Sequence, residues 1–65
     1  MRLRDWREQE GITQQDAAER LGCSYGAYIK YEYGQRFPRP VTMKQIIAVT
    51  NGKVGYDDFH EQQAA

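Results

Sequence analysis

The sequence predicts an all-α chain of four or five short helices. Three observations carry this reading: apolar residues recur at helical spacing, the apolar stretches open on residues that cap helix starts, and glycine closes them.

Each element has a local cause. Leu3, Trp6 and Glu10 fall at i, i+3 and i+7, with Arg7 beside Trp6, giving a first amphipathic helix over about residues 2–10. Gly11 supplies its stop, because a residue without Cβ enters the left-handed region at little cost. Thr13 then caps a second helix, and Asp16 stands where a capping box would reach back to it. Ala17, Ala18 and Leu21 form the inward face of that helix, which stops at Gly22. Ser24 caps a third helix running to about Tyr33, with Gly34 as its stop. Phe37-Pro38-Arg39-Pro40 is extended, since each proline disfavours helix in the residue before it. Pro40 opens a fourth helix with an apolar stripe of Met43, Ile46, Ile47 and Thr50, closed by Asn51-Gly52. The tail from Val54 to Ala65 carries a weak helical signal around residues 57–62.

Sixty-five residues make one expected domain, 1–65. A chain of this length buries only about 60% of the surface its unfolded form exposes, so its stability margin is thin. Cys23 is the only cysteine and His60 the only histidine, so neither an internal disulfide nor a four-ligand zinc site can form. Association with a second copy is the expected supplement. No apolar run reaches the roughly 18 residues a membrane span needs. Met1 to Trp6 lacks the apolar core of a signal peptide, and a cytoplasmic location is expected.

Nine basic and nine acidic residues give no net charge, but the charge is unevenly distributed. Residues 24–44 carry Lys30, Arg36, Arg39 and Lys44 against Glu32 alone, whereas the flanking thirds are slightly acidic. A phosphate-facing surface would sit in that middle third.

The informative stretch is Gln14 to Tyr33. Two helices joined by a short turn cross steeply, so a small side chain is needed where they press together, at Ala18. The turn needs the backbone freedom of Gly22. The third helix needs a large apolar body pointing inward, at Tyr28. With Tyr28 inward, a 100° wheel puts Tyr31 and Glu32 on the same side and turns Gly26, Ile29, Lys30 and Tyr33 outward, with Tyr25 at the exposed N-terminal end. A glycine, an aliphatic, a lysine and aromatics make an unusual solvated face, and one that suits a major groove.

With these residues in place, residues 2–50 resemble the lambda-repressor/Cro-type helix-turn-helix family, also called XRE-like. The run from Gly11 to Ser24, then Tyr28, then Tyr31-Glu32-Tyr33-Gly34, carries the resemblance, with the helix-turn-helix at about 14–33. It implies a compact lambda-repressor-like DNA-binding domain. It also implies base-reading positions at Tyr25, Gly26 and Lys30, beside which the wheel sets Ile29. Gln14 corresponds to a glutamine that contacts phosphate and braces a base-reading side chain. Arg36 and Arg39 correspond to a phosphate-clamping loop, and Ser24 and Tyr33, at the ends of the third helix, join the expected phosphate contacts. Arg7 and Glu32 correspond to a pair that ties the first helix to the third. Gly26 departs from the pattern by bringing no side chain, and Tyr25 replaces the more usual polar readers, so the operator sequence does not carry over.

The expected partners are double-stranded operator DNA and a second copy of the chain, with Val54, Tyr56 and Phe59 as candidate dimer residues because no internal partner is evident for them. A repressor is the leading expectation. The alternatives are an antitoxin or other protein-interaction module, and an accessory autorepressor of a phage anti-defence operon. Arg2 and Arg4 read first as ordinary surface cations and, second to that, as phosphate contacts, and His60 beside Asp57, Asp58 and Glu61 reads as an acidic, solvated tail. Ser24 is accounted for as a helix cap and the chain is too short to enclose a substrate pocket, so no catalytic residue, cofactor, metal or small-molecule substrate is expected.

Overall fold

The structure, a computed structural model, describes residues 1–59. His60 and Glu61, and the end of the expected tail helix, lie outside the described residues. Four helices follow one another: α1 (Leu3–Glu10), α2 (Gln14–Leu21), α3 (Tyr25–Glu32) and α4 (Pro40–Val49). A further helical segment begins at residue 56. The described residues include no strand.

The caps explain where the helices begin. The Asp16 backbone N–H donates to Thr13 Oγ1 at 3.1 Å, and the Ala27 N–H donates to Ser24 Oγ at 3.2 Å. Each bond satisfies a donor that the first helical turn leaves without a partner. The expected return bond from the Asp16 carboxylate to Thr13 is not among the hydrogen bonds of the described residues; the aspartate side chain is one methylene shorter than the glutamate of a full capping box. Pro40 occupies the start of α4, where its missing N–H costs nothing. At the end of α2, Gly22 adopts φ 72° and ψ 30°, and the Cys23 N–H turns back to the Ala18 carbonyl at 3.0 Å. This left-handed residue makes the α2–α3 turn tight.

All four helices contribute to one core. Leu3 and Trp6 from α1, Ala17, Ala18 and Leu21 from α2, Tyr28 and Tyr31 from α3, and Met43 and Ile46 from α4 are buried together. Val54 and Phe59 belong to the same cluster and are 0% and 1% exposed. The expectation that these two residues form a dimer surface is therefore corrected: they have internal partners. Asn51 at φ 55° and Gly52 at φ 79° reverse the chain after α4. Thr50 Oγ1 donates to the Ile46 carbonyl at 2.7 Å and accepts from the Val54 N–H at 3.2 Å, which delivers Val54 to the interior. Phe59 meets Phe37 edge-to-face, with ring centroids 6.1 Å apart. Tyr56 is half-exposed. Among the described residues, no helix is long and apolar enough to cross a membrane.

Candidate nucleic-acid interface

The inward side of α3 is fixed by burial of Tyr28, Tyr31 and Glu32, and this decides what its other side presents. Gly26 and Lys30 are exposed, and Tyr25 and Tyr33 are 50% and 53% exposed. Ile29 differs from the wheel: it is half-buried and packs on the core, so only part of its side chain faces outward. It lies one residue, about 100°, from Tyr28 and falls at the edge between the two faces. Ser24 is exposed at the head of α3, with its Oγ engaged as the cap. Arg36 and Arg39 are exposed on the segment joining α3 to α4. Buried Pro38 and half-buried Phe37 hold that segment against the body of the fold.

Behind this surface lies a polar cluster centred on Glu32, whose side chain is fully buried. Arg7 Nη2 donates to Glu32 Oε1 at 3.2 Å, and Arg7 Nη1 donates to the Ile12 carbonyl at 3.2 Å. Gln14 Nε2 donates to Glu32 Oε2 at 3.1 Å. On its other side, Gln14 Oε1 accepts a long bond of 3.5 Å from the Tyr25 hydroxyl. A buried carboxylate on α3 is thus linked through α2 to the first exposed aromatic of α3. Burial opposes the charge on Arg7, but the hydrogen bond and charge of Glu32 outweigh it and raise the guanidinium pKa above its ordinary value. The Tyr28 hydroxyl lies against the same Arg7–Glu32 pair, makes no hydrogen bond of good geometry, and is pushed up in pKa by burial and then by the Glu32 charge.

Two features of this cluster escape sequence reasoning. Arg4, read as a surface cation, also approaches Glu32, with Nε 3.5 Å from Oε1. Gln14 serves the buried carboxylate as well as the surface. An arginine one helical turn before Arg7 is the only signal for the first, and nothing in the sequence signals the second.

A helix held from behind by a buried ion pair, set by a glycine turn against a second helix and open along its outer side, defines a helix-turn-helix DNA-binding fold. Residues 3–56 match the helix-turn-helix family model, and the chain belongs to that family, of the lambda-repressor/Cro or XRE-like type. It is a DNA-binding transcriptional regulator of that type, and the family is one of regulators rather than enzymes. No curated protein and no solved structure matches the chain.

Proposed function

We propose that the chain is a repressor that binds a roughly palindromic operator as a homodimer, with α3 of each protomer in the major groove. The two half-sites would lie about 34 Å apart, one turn of the duplex. Tyr25, Ile29 and Lys30 would meet base edges and thymine methyls, and Gly26 would let the α3 backbone approach them closely. Gln14, Ser24, Tyr33, Arg36 and Arg39 would fix the register on the phosphates.

The observation that carries this reading is Gly26. Glycine in a helix costs up to about 1 kcal/mol relative to alanine, less in the first turn where Gly26 stands, and is often kept for a steric or conformational reason. Neither reason exists among the described residues. Gly26 does not have a positive φ, and a Cβ built on it meets nothing within 4 Å. Nothing among the described residues calls for glycine here, and a duplex lying against α3 would give a reason for it.

Selection from a random duplex pool, followed by fluorescence anisotropy at graded salt, tests the reading. Recovered duplexes should share a palindromic pattern and bind far more tightly than unselected ones, with affinity falling steeply as salt rises. Gly26→Ala should raise the thermal midpoint of the free protein yet weaken binding to the selected duplex. Equal binding to all sequences, or unimpaired binding by Gly26→Ala, contradicts it.

A further inference from the structure

Between the start of α1 and the end of α3 lies a concavity of about 390 Å³ lined by Arg2, Arg4, Asp5, Glu32 and Tyr33. The lining holds two arginines and two carboxylates, but Arg7 also pairs with Glu32, so one positive charge is left over. Glu32 is one carboxylate facing two guanidiniums, Arg7 at 3.2 Å and Arg4 at 3.5 Å. Arg7 is mostly buried and completes the pair with a second bond to the Ile12 carbonyl. Arg4 therefore brings a positive charge that Glu32 has already spent its own on.

The geometry of Arg4 is constrained on two sides. Its Nε edge faces Glu32, and its guanidinium carbon lies 5.6 Å from the centroid of the Tyr33 ring, a cation–π contact. Its side chain is 51% exposed, and among the described residues its two Nη groups donate no hydrogen bond. A guanidinium steadied in this way presents a planar set of N–H donors suited to two phosphate oxygens. Tyr33 immediately follows α3, and exposed Arg36 and Arg39 come shortly after it.

We propose that Arg4 and Tyr33 form a phosphate clamp that grips one DNA strand beside the C-terminal end of α3, extending the cationic surface from the Arg36–Arg39 segment onto α1. This rests on the reading of α3 as the recognition helix. Arg2 adds charge at the rim of the clamp, and Asp5 on the same rim opposes phosphate.

Anisotropy titrations over a range of salt, on a selected and an unselected duplex, test the clamp with Arg4→Gln, Arg4→Lys and Asp5→Asn. Arg4→Gln should make the slope of log affinity against log salt shallower by about 1 per protomer. It should also weaken both duplexes alike, by roughly tenfold per protomer at 0.1 M salt. Arg4→Lys should keep the slope, and Asp5→Asn should bind more tightly at low salt, an advantage that fades as salt rises. A purely structural role for Arg4 would move the thermal midpoint and leave the slope unchanged. If the wild type binds duplex and the Arg4→Gln slope equals it, the clamp is wrong and the recognition helix stands. If the wild type shows no salt-dependent duplex binding, both fail. Should Arg4→Gln not fold, Asp5→Asn decides alone, and an unchanged low-salt affinity overturns the clamp. Salt-sensitive capture of an acidic protein by the wild type with no duplex binding would assign the concavity to that class of partner instead.

Discussion

Gln14 donates to Glu32 Oε2 at 3.1 Å while Arg7 occupies Oε1, so one buried carboxylate ties all three of the first helices together. Removing the carboxylate should be far worse than removing both members of the ion pair. Glu32→Ala would leave the Arg7 guanidinium largely buried without its counter-charge, a loss of about 3 kcal/mol, comparable with the whole margin of so short a chain. Arg7→Met combined with Glu32→Leu should recover much of that loss. Urea unfolding of the single and double variants measures the coupling, and additive losses would mean that the pair is not energetically linked.

The Tyr28 ring fills the core, but its hydroxyl has no hydrogen bond to lose. Tyr28→Phe should therefore change stability at neutral pH by less than about 1 kcal/mol, in either direction. The larger effect should come in alkali. Burial and the Glu32 charge hold the folded-state pKa above the ordinary value of 10.0. The unfolded chain releases this proton near pH 10 while the folded chain keeps it, so stability is complete below that pH and falls as pH rises beyond it. Thermal melts between pH 8 and about 11 should show this decline in the wild type and a shallower one in Tyr28→Phe.

The helices were legible in the sequence because caps and stops act over three or four residues. Thr13, Ser24, Gly22 and Pro40 do their work on neighbours, and their side chains state it. The outward set on α3 was largely legible for a related reason, since placing Tyr28 inward orients the whole helix. Ile29 was not, because a residue at the edge of the wheel is assigned by the neighbours that pack on it. The burial of Val54 and Phe59 is hidden on the same ground. Phe59 looked unpartnered because Phe37 sits in a proline-flanked connection that shows no helical period, and only the folded chain brings the two rings together. The ion pair could be named from resemblance to the family, whereas the convergence of Arg4, Arg7 and Gln14 on one carboxylate depends on how three helices cross.

Thr50 stood in the apolar stripe of α4, and it is buried, but its hydroxyl accepts the Val54 N–H at 3.2 Å. Thr50→Val keeps the shape and removes the acceptor, leaving a buried backbone donor unpaired at a cost of about 1–3 kcal/mol. Thr50→Ser keeps the acceptor and should cost less despite being smaller. Thermal denaturation that ranks valine above serine would show that volume matters more than the bond at this position.

Correcting Val54 and Phe59 separates folding from assembly. Phe59→Ala should destabilise each protomer by about 3–5 kcal/mol through loss of a fully buried ring and its contact with Phe37. That loss should be the same at every protein concentration. Tyr56 and Val41 are 52% and 81% exposed, and among the described residues they are the exposed large apolar residues away from α3 and from Met1. Under the proposed homodimer, Tyr56→Ser or Val41→Ser should leave the protomer's unfolding midpoint in dilute solution nearly unchanged while weakening self-association in sedimentation equilibrium. DNA binding by either variant should then need a higher protein concentration, since a half-bound protomer loses the second set of phosphate contacts. If neither serine variant alters self-association, the dimer surface lies elsewhere on the chain.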